Sequence, residues 1–287
     1  MIEAIVAGSH LRFDGVRQRP QQLLTRLAER VPVLFVEEQF AAAADAEEWV
    51  KHNALTVLRP LRANADYTQI DAATLAAVRA WLGGRRALTW LYTPMMLPLA
   101  DAQRGAPIVY DCMDDLASFR FAPTALGALE PALLDRATLI FAGGRTLYER
   151  RRAAGPRVRL YPSGVEFERF VQAQTLAPHP LAAALEPPVY GYFGVVDERI
   201  DLAIVDALGA SGANVLLIGP FAKLDPAGLP YRATIHYTGQ VDYAELPRYL
   251  AGFDVAIMPF ARNPATANIS PTKTPEYLAG GKPVVST

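Results

Sequence analysis

A chain of 287 residues is too long for one ordinary core and suits two α/β domains. Hydrophobic residues make up 51% and charged residues 20%, the make-up of a folded globular protein, and a net charge of -1 argues against a nucleic-acid partner. The single cysteine, Cys112, excludes an internal disulfide framework and a cysteine-based zinc site, and a reducing cytoplasm is the expected setting.

The first segment, Met1-Ile2-Glu3-Ala4-Ile5-Val6-Ala7, is too short for a signal-peptide core and carries an acid, so it reads as a buried strand. No apolar run approaches the roughly 20 residues of a membrane span. Further strands are predicted over 33–37, 54–58, 87–92, 107–111, 138–142 and 157–161. Helices are predicted over 20–30, 70–82, 123–135 and 144–154. Pro20 suits the first turn of its helix, and Leu23, Leu24 and Leu27 form its apolar face. The stretch 41–46 reads only as Ala-rich sequence.

Near Tyr161-Pro162-Ser163-Gly164 and the Pro-rich 178–188 the chain is expected to pass between domains, 1–165 and 166–287. The second half repeats the pattern, with strands over 189–194, 214–218, 233–237, 254–259 and 283–286, and helices over 199–209, 243–251 and 271–280. Alternation of this kind means two doubly wound, Rossmann-like parallel sheets, with ligands at the carboxyl ends of the strands. The last strand reads as buried, so the C-terminal domain is expected to be truncated and the natural chain longer.

The densest chemistry lies at 269–285. Ser270 is a suitable N-cap with Pro271 at the first helical position, and Thr272 and Lys273 fall in the first turn. A cation there is unfavourable beside the helix dipole unless an anion is also present, so Ser270, Thr272 and Lys273 read as a phosphate site. Glu276 lies one turn on, where it can accept from sugar hydroxyls. The bland alternative is an exposed Lys273–Glu276 pair on a capped surface helix. Lys282 reads as a solvated charge after the helix. Arg199 is a second candidate diphosphate cation, its alternative being a surface pair with Glu198 or Asp201.

The first-domain loop 8–19 concentrates His10, Arg12, Asp14, Arg17, Gln18 and Arg19 at a strand's carboxyl end. Asp111, Asp114 and Asp115 cluster at another; Asp115 can equally cap the next segment, and three acids together raise the alternative of a metal site. The first loop, Gly8-Ser9-His10-Leu11-Arg12-Phe13, lacks the G-x-G-x-x-G of a dinucleotide dehydrogenase.

Ile269-Ser270-Pro271-Thr272-Lys273-Thr274-Pro275-Glu276-Tyr277-Leu278-Ala279-Gly280-Gly281-Lys282-Pro283-Val284-Val285 resembles the nucleotide-sugar site of GT-B glycosyltransferases of the broad family 4 group, notably bacterial members reading SPTK-x-x-EYLA-x-GKPVVST. Ser9–Asp14 with Gln18–Leu23, Tyr110-Asp111-Cys112-Met113-Asp114-Asp115, Pro162-Ser163-Gly164-Val165 and Gly191–Asp201 resemble further stretches of those members. The chain departs from the pattern at Asn268, where many members carry the first of two glutamates, and at Val195, where many carry arginine. The usual closing segment back to the first domain is absent.

The resemblance implies a retaining, metal-independent hexosyl- or glycosyltransferase. It would move sugar from a nucleoside-diphosphate sugar to a glycan or lipid-linked acceptor in bacterial polysaccharide assembly. Lys273, Arg199 and Asp115 would serve catalysis. Gly194, Val195, Gly219, Gln240, Val241, Asn268, Ser270, Thr272 and Glu276 would join Lys273 and Arg199 in binding donor, with Glu276 on the ribose. For Gly219, Gln240 and Val241 plain turn chemistry is the alternative. His10, Asp14, Arg17 and Asp114 would face the acceptor. No metal and no resident cofactor is implied, and the setting would be the cytoplasm, with peripheral association at the inner membrane face. A non-catalytic sugar-nucleotide-binding or assembly subunit on the same fold is the alternative.

Overall fold

The computed structural model describes residues 1–287, apart from the side chain of Pro226. The chain divides into two compact units, Met1–Pro162 and Ser163–Thr287.

In the first unit the strands are β1 (Ala4–Gly8), β2 (Val33–Val36), β3 (Phe40–Ala41), β4 (Ala46–His52), β5 (Leu55–Arg62), β6 (Ala87–Leu91), β7 (Ile108–Cys112), β8 (Leu139–Ala142) and β9 (Val158–Leu160). They form one sheet of order β3-β5-β2-β1-β6-β7-β8-β9, parallel apart from β4, which pairs antiparallel with β5. The helices are α1 (Arg19–Ala28), α2 (Ala72–Leu82), α3 (Leu126–Arg136) and α4 (Arg145–Arg151). Both faces of the sheet are covered. Ile5 and Ala7 pack into one apolar cluster with Leu24 and Phe35, while Ala4 and Val6 pack into another with Val78 and Leu133. This is why β1 reads as an unbroken apolar run rather than an alternating one.

The second unit carries β10 (Val189–Phe193), β11 (Asn214–Ile218), β12 (Ile235–Tyr237), β13 (Val255–Met258) and β14 (Val284–Ser286), all parallel in the order β12-β11-β10-β13-β14. Its helices are α5 (Phe167–Phe170), α6 (Pro180–Ala183), α7 (Leu202–Ala210), α8 (Leu246–Ala251) and α9 (Lys273–Ala279). A single apolar cluster surrounds β10, whose Tyr192 and Phe193 are buried.

Four expectations need correction. The buried face of α1 centres on Leu24 and Ala28, with Leu23 only half-buried. The Ala-rich stretch leads into β4, whose Glu47, Glu48 and Lys51 are the charged residues of a sheet edge and hide a strand from any apolar pattern. β14 is an edge strand with Val285 58% exposed, not a buried one, because only β13 pairs with it. Lys282 is half-buried and donates to the Ala251 carbonyl at 2.9 Å, closing the C-terminus of α8. Burial there lowers its pKa. Among the described residues no helix is long and apolar enough to cross a membrane.

Candidate functional site

In the second unit Gly194, Val195, Gly219 and Lys273 meet at the carboxyl end of β10, and Tyr277 explains how α9 reaches it. Its hydroxyl accepts the Phe193 N–H at 3.0 Å, and its ring meets Phe193 edge-on with centroids 4.6 Å apart. With Tyr277 fully buried, α9 is docked on β10. Gly280 admits Leu250 of α8, since a Cβ there would lie 2.3 Å from Leu250 Cδ2. Gln174 donates to the Ala279 carbonyl at 2.9 Å and closes the helix end.

So docked, α9 lays Lys273 along the chain leaving β10. A Cβ on Gly194 would stand 2.1 Å from Lys273 Cε, and Gly194 has φ 137°. The Lys273 ammonium lies 5.5 Å from the centre of the Tyr192 ring, within cation–π range. The Tyr192 hydroxyl donates to the Val195 carbonyl at 3.0 Å, so Val195 shapes the site through its backbone. Gly219, after β11, has φ 140°, and a Cβ on it would fall 2.1 Å from the Gly194 carbonyl oxygen. The Gly219 N–H donates to the Gly239 carbonyl at 2.8 Å. Two strand ends thus meet through two glycines, each in a conformation that side chains resist. Gly219→Ala is expected to destabilise the second unit by about 1–3 kcal/mol from backbone strain alone. A fall of at least about 3 °C in Tm by calorimetry would accompany it.

The helix start differs from the predicted one. α9 begins at Lys273, with Thr272 in the N-cap position at φ -64° and no side-chain cap bond. Ser270 and Pro271 lie before it, outside the helix, and Tyr277 docks the helix on β10. Asn268 is 7% exposed. The Arg199 guanidinium grips Asp197, with Nε 2.8 Å from Oδ1 and Nη2 2.7 Å from Oδ2. The Asp201 carboxylate is occupied as the N-cap of α7, accepting from Ala203 N at 3.0 Å. The loop after β13 closes on this turn, since Ala261 N donates to the Arg199 carbonyl at 2.8 Å and Asn263 to the Glu198 carbonyl at 2.8 Å. Gln240 is exposed, and Val241 packs on the core of the unit.

Glu276 is 6% exposed. Burial pushes its pKa up to about 7, with Lys273 opposing the rise and Glu166 adding to it. This is not the exposed Lys–Glu pair of a surface helix. Sequence reasoning missed Tyr192, Asp197, Glu166 and Tyr243. Tyr192 sits in an apolar strand run, Asp197 lies beside Arg199 in the loop after β10, and Glu166 and Tyr243 reach the site only through the fold.

In the first unit much of the polar loop is structural. Arg12 donates to the Glu38 and Gln39 carbonyls at 2.6 and 3.2 Å, and its guanidinium lies 3.4 Å from the Phe40 ring centre. Asp14 pairs with Arg59, and with His52 at 3.2 Å. Gln21 accepts the Gln18 N–H at 3.1 Å and donates to the Arg12 carbonyl at 3.1 Å. Arg19 and Asp111 form a buried pair at 2.9 Å, and Trp90 donates to the same carboxylate at 3.3 Å. Asp115 does not cap the following turn with its side chain. It pairs with Arg150 at 2.5 Å and accepts from the Ser118 hydroxyl at 2.8 Å. His10, Arg17 and Asp114 are half-buried. Glu38, at the end of β2, also went unnoticed, and burial pushes its pKa up to about 7. Among the described residues no group of three or more His, Cys, Asp or Glu is placed to hold a metal ion.

No family model matches the chain. It is 26% identical over 222 residues, 71% of its length, to a Bacillus subtilis (strain 168) protein, TuaH, that carries the name of a teichuronic acid biosynthesis glycosyltransferase. The match spans 56% of TuaH. Sucrose-phosphate synthase from Thermosynechococcus elongatus superposes over 99% of this chain and 81% of its own, with a TM-score of 0.71 at 17% identity. Anabaena HepE, solved with UDP-glucose, covers 99% of this chain and 80% of its own, with a TM-score of 0.69 at 16% identity. A trehalose-6-phosphate structure from E. coli with bound UDP-2-fluoro glucose gives a TM-score of 0.65 at 14% identity, covering 99% of this chain and 84% of its own. The chain has the GT-B fold, α/β with two parallel, Rossmann-like sheets.

Proposed function

We propose that the chain is a metal-independent, retaining glycosyltransferase of the family 4 type that takes a nucleoside-diphosphate sugar in its second unit. The acceptor is a glycan or lipid-linked sugar bound by the first unit, in bacterial polysaccharide assembly at the cytoplasmic face of the membrane. The observation that carries this reading is Lys273 lying across Gly194, with Glu276 buried one turn behind it. A cation held over the carboxyl end of a parallel strand suits a diphosphate. A buried carboxylate that accepts two hydrogen bonds suits the vicinal hydroxyls of a ribose. Breaking the sugar–diphosphate bond leaves negative charge on the diphosphate. Lys273, and Arg199 sharing its grip with Asp197, are the donors placed to stabilise that charge. The name of TuaH and the UDP-glucose bound to HepE support the same substrate class. The nucleotide sugar is a co-substrate, and no resident cofactor enters the reaction.

Calorimetry with UDP and GDP, with and without EDTA, tests the site. Binding is expected to persist in EDTA, and absolute dependence on magnesium would overturn the metal-free part. Glu276→Ala is expected to weaken UDP and uridine alike by about tenfold or more, because each ligand loses the same charge-assisted hydrogen bonds. Sugar transfer from the bound donor separates an enzyme from a binding subunit.

A further inference from the structure

Behind Glu276 lies a second acid that the proposed transfer does not use. Glu166 stands at the entry to α5, immediately after the Pro162-Ser163-Gly164-Val165 turn, with 12% of its side chain exposed. Two groups hold it. Arg169 Nε lies 3.1 Å from Glu166 Oε2, and the Tyr243 hydroxyl hydrogen-bonds the same carboxylate. The clamp is itself braced, for the Arg169 guanidinium lies 5.1 Å from the Tyr243 ring centre and Phe170 meets that ring edge-on at 5.9 Å. α5 packs against α9, which carries Glu276. A fixed negative charge therefore faces the candidate ribose carboxylate across a helix contact.

We propose that Glu166, clamped by Arg169 and Tyr243, is a positioning residue that sets the charge state of Glu276 and thereby makes nucleoside binding release a proton. The inference rests on the ribose role assigned to Glu276 above.

The charged and titratable groups facing Glu276 are Lys273 and Tyr277 on its own helix, Glu166 from α5, and Tyr243 from the turn before α8, while Arg169 meets Glu166 and Tyr243. Of the other elements against α9, β10 brings Tyr192 and Phe193, α8 brings Leu250, and β14 brings Val284, Val285 and Ser286. Burial and Glu166 raise the Glu276 pKa from its ordinary 4.5 to about 7, against the pull of Lys273. Between those values the folded chain binds more protons than the unfolded one, so this group's contribution to stability falls as pH rises across the window. The ionised carboxylate, an acceptor at both oxygens with no donor of its own, is the form that best takes a hydrogen bond from each of two ribose hydroxyls. Nucleoside binding then draws the proton off Glu276. Affinity is expected to rise up to about tenfold per pH unit below the midpoint and to level off above it. The arrangement makes the grip on the nucleoside weaker at neutral pH than a fully ionised acid would give, which eases release of the spent nucleotide.

The test uses the full chain with carboxyl-13C glutamate. The Glu276 resonance, assigned by its loss in Glu276→Gln, is titrated from pH 4 to 9 in wild type, Glu166→Gln and Arg169→Met. Gln keeps an acceptor for Tyr243 and removes the charge, so the midpoint is expected to fall by about one pH unit. Arg169→Met strips Glu166 of its counter-charge, so the midpoint is expected to rise. Shifts of opposite sign do not arise from loosened packing. Midpoints of Glu166→Gln and Arg169→Met that both match the wild type would overturn the proposal, as would shifts of the same sign. If Glu166→Gln fails to fold, the rise in Arg169→Met decides alone. Uridine affinity measured over the same pH range separates the two layers of the inference. An uridine-binding midpoint near 7 that moves with the resonance supports both. Failure of uridine to bind at any pH, with the resonance still moving, overturns the ribose reading and the proton release that depends on it, and leaves the electrostatic control standing.

Discussion

Asp111→Ala is expected to cost the first unit about 3–5 kcal/mol, the penalty of leaving a buried partner charge uncompensated. Arg19 has only 6% of its side chain exposed, and its guanidinium meets Asp111 at 2.9 and 3.1 Å. With the carboxylate gone, the Tyr161 carbonyl at 2.5 Å remains, an acceptor that carries no charge. The pair joins the start of α1 to the end of β7 and the exit of β9, so its loss loosens three elements at once. Thermal unfolding is expected to show a Tm lower by roughly 10 °C. The double replacement Arg19→Met with Asp111→Leu is expected to recover most of that loss, because apolar side chains of similar size remove both desolvation costs. A fall below about 1 kcal/mol for Asp111→Ala would mean that water reaches the guanidinium, contrary to its burial.

Lys273→Ala is expected to weaken UDP binding by about 10- to 150-fold, the equivalent of about 1.5–3 kcal/mol for a charge-assisted hydrogen bond. Uridine binding should hardly change, because the nucleoside carries no anion for the ammonium to meet. Glu276→Ala should weaken both ligands. Measuring the two variants against the two ligands gives a pattern that general damage to the fold cannot imitate. Lys273→Arg is not expected to restore full affinity. The lysine stem passes over Gly194 in a space where a single Cβ would already lie 2.1 Å away, and a planar guanidinium is broader than that stem. Equal losses for UDP and uridine in Lys273→Ala would assign the residue a packing role over Tyr192 and take the diphosphate from it.

The strand and helix alternation was legible because burial on both sheet faces writes continuous apolar runs such as Ala4–Gly8 and Val33–Val36 into the chain. The grouping of Lys273 with Glu276 was legible for the same local reason, since helical spacing places them one turn apart. Local rules failed where a long-range contact outweighed them. Ser270 and Pro271 are good cap residues, yet the helix starts at Lys273 and is docked through Tyr277 on Phe193, 84 positions earlier. Arg199 turned to Asp197 because helix capping occupied Asp201. Arg19 and Asp111, 92 positions apart, read as loop chemistry and are instead a buried pair. Glu166 and Tyr243 reach the neighbourhood of Glu276 only through the packing of α5 on α9. Sequence by itself determined the alternation of the buried strands with the longer helices and which residues bear charge, because burial periodicity acts within a few residues, while charged β4 and the start of α9 escaped it. The tertiary structure alone decided which charges neutralise one another and which face an open strand end. Strand order and helix docking bring together residues whose spacing carries no period.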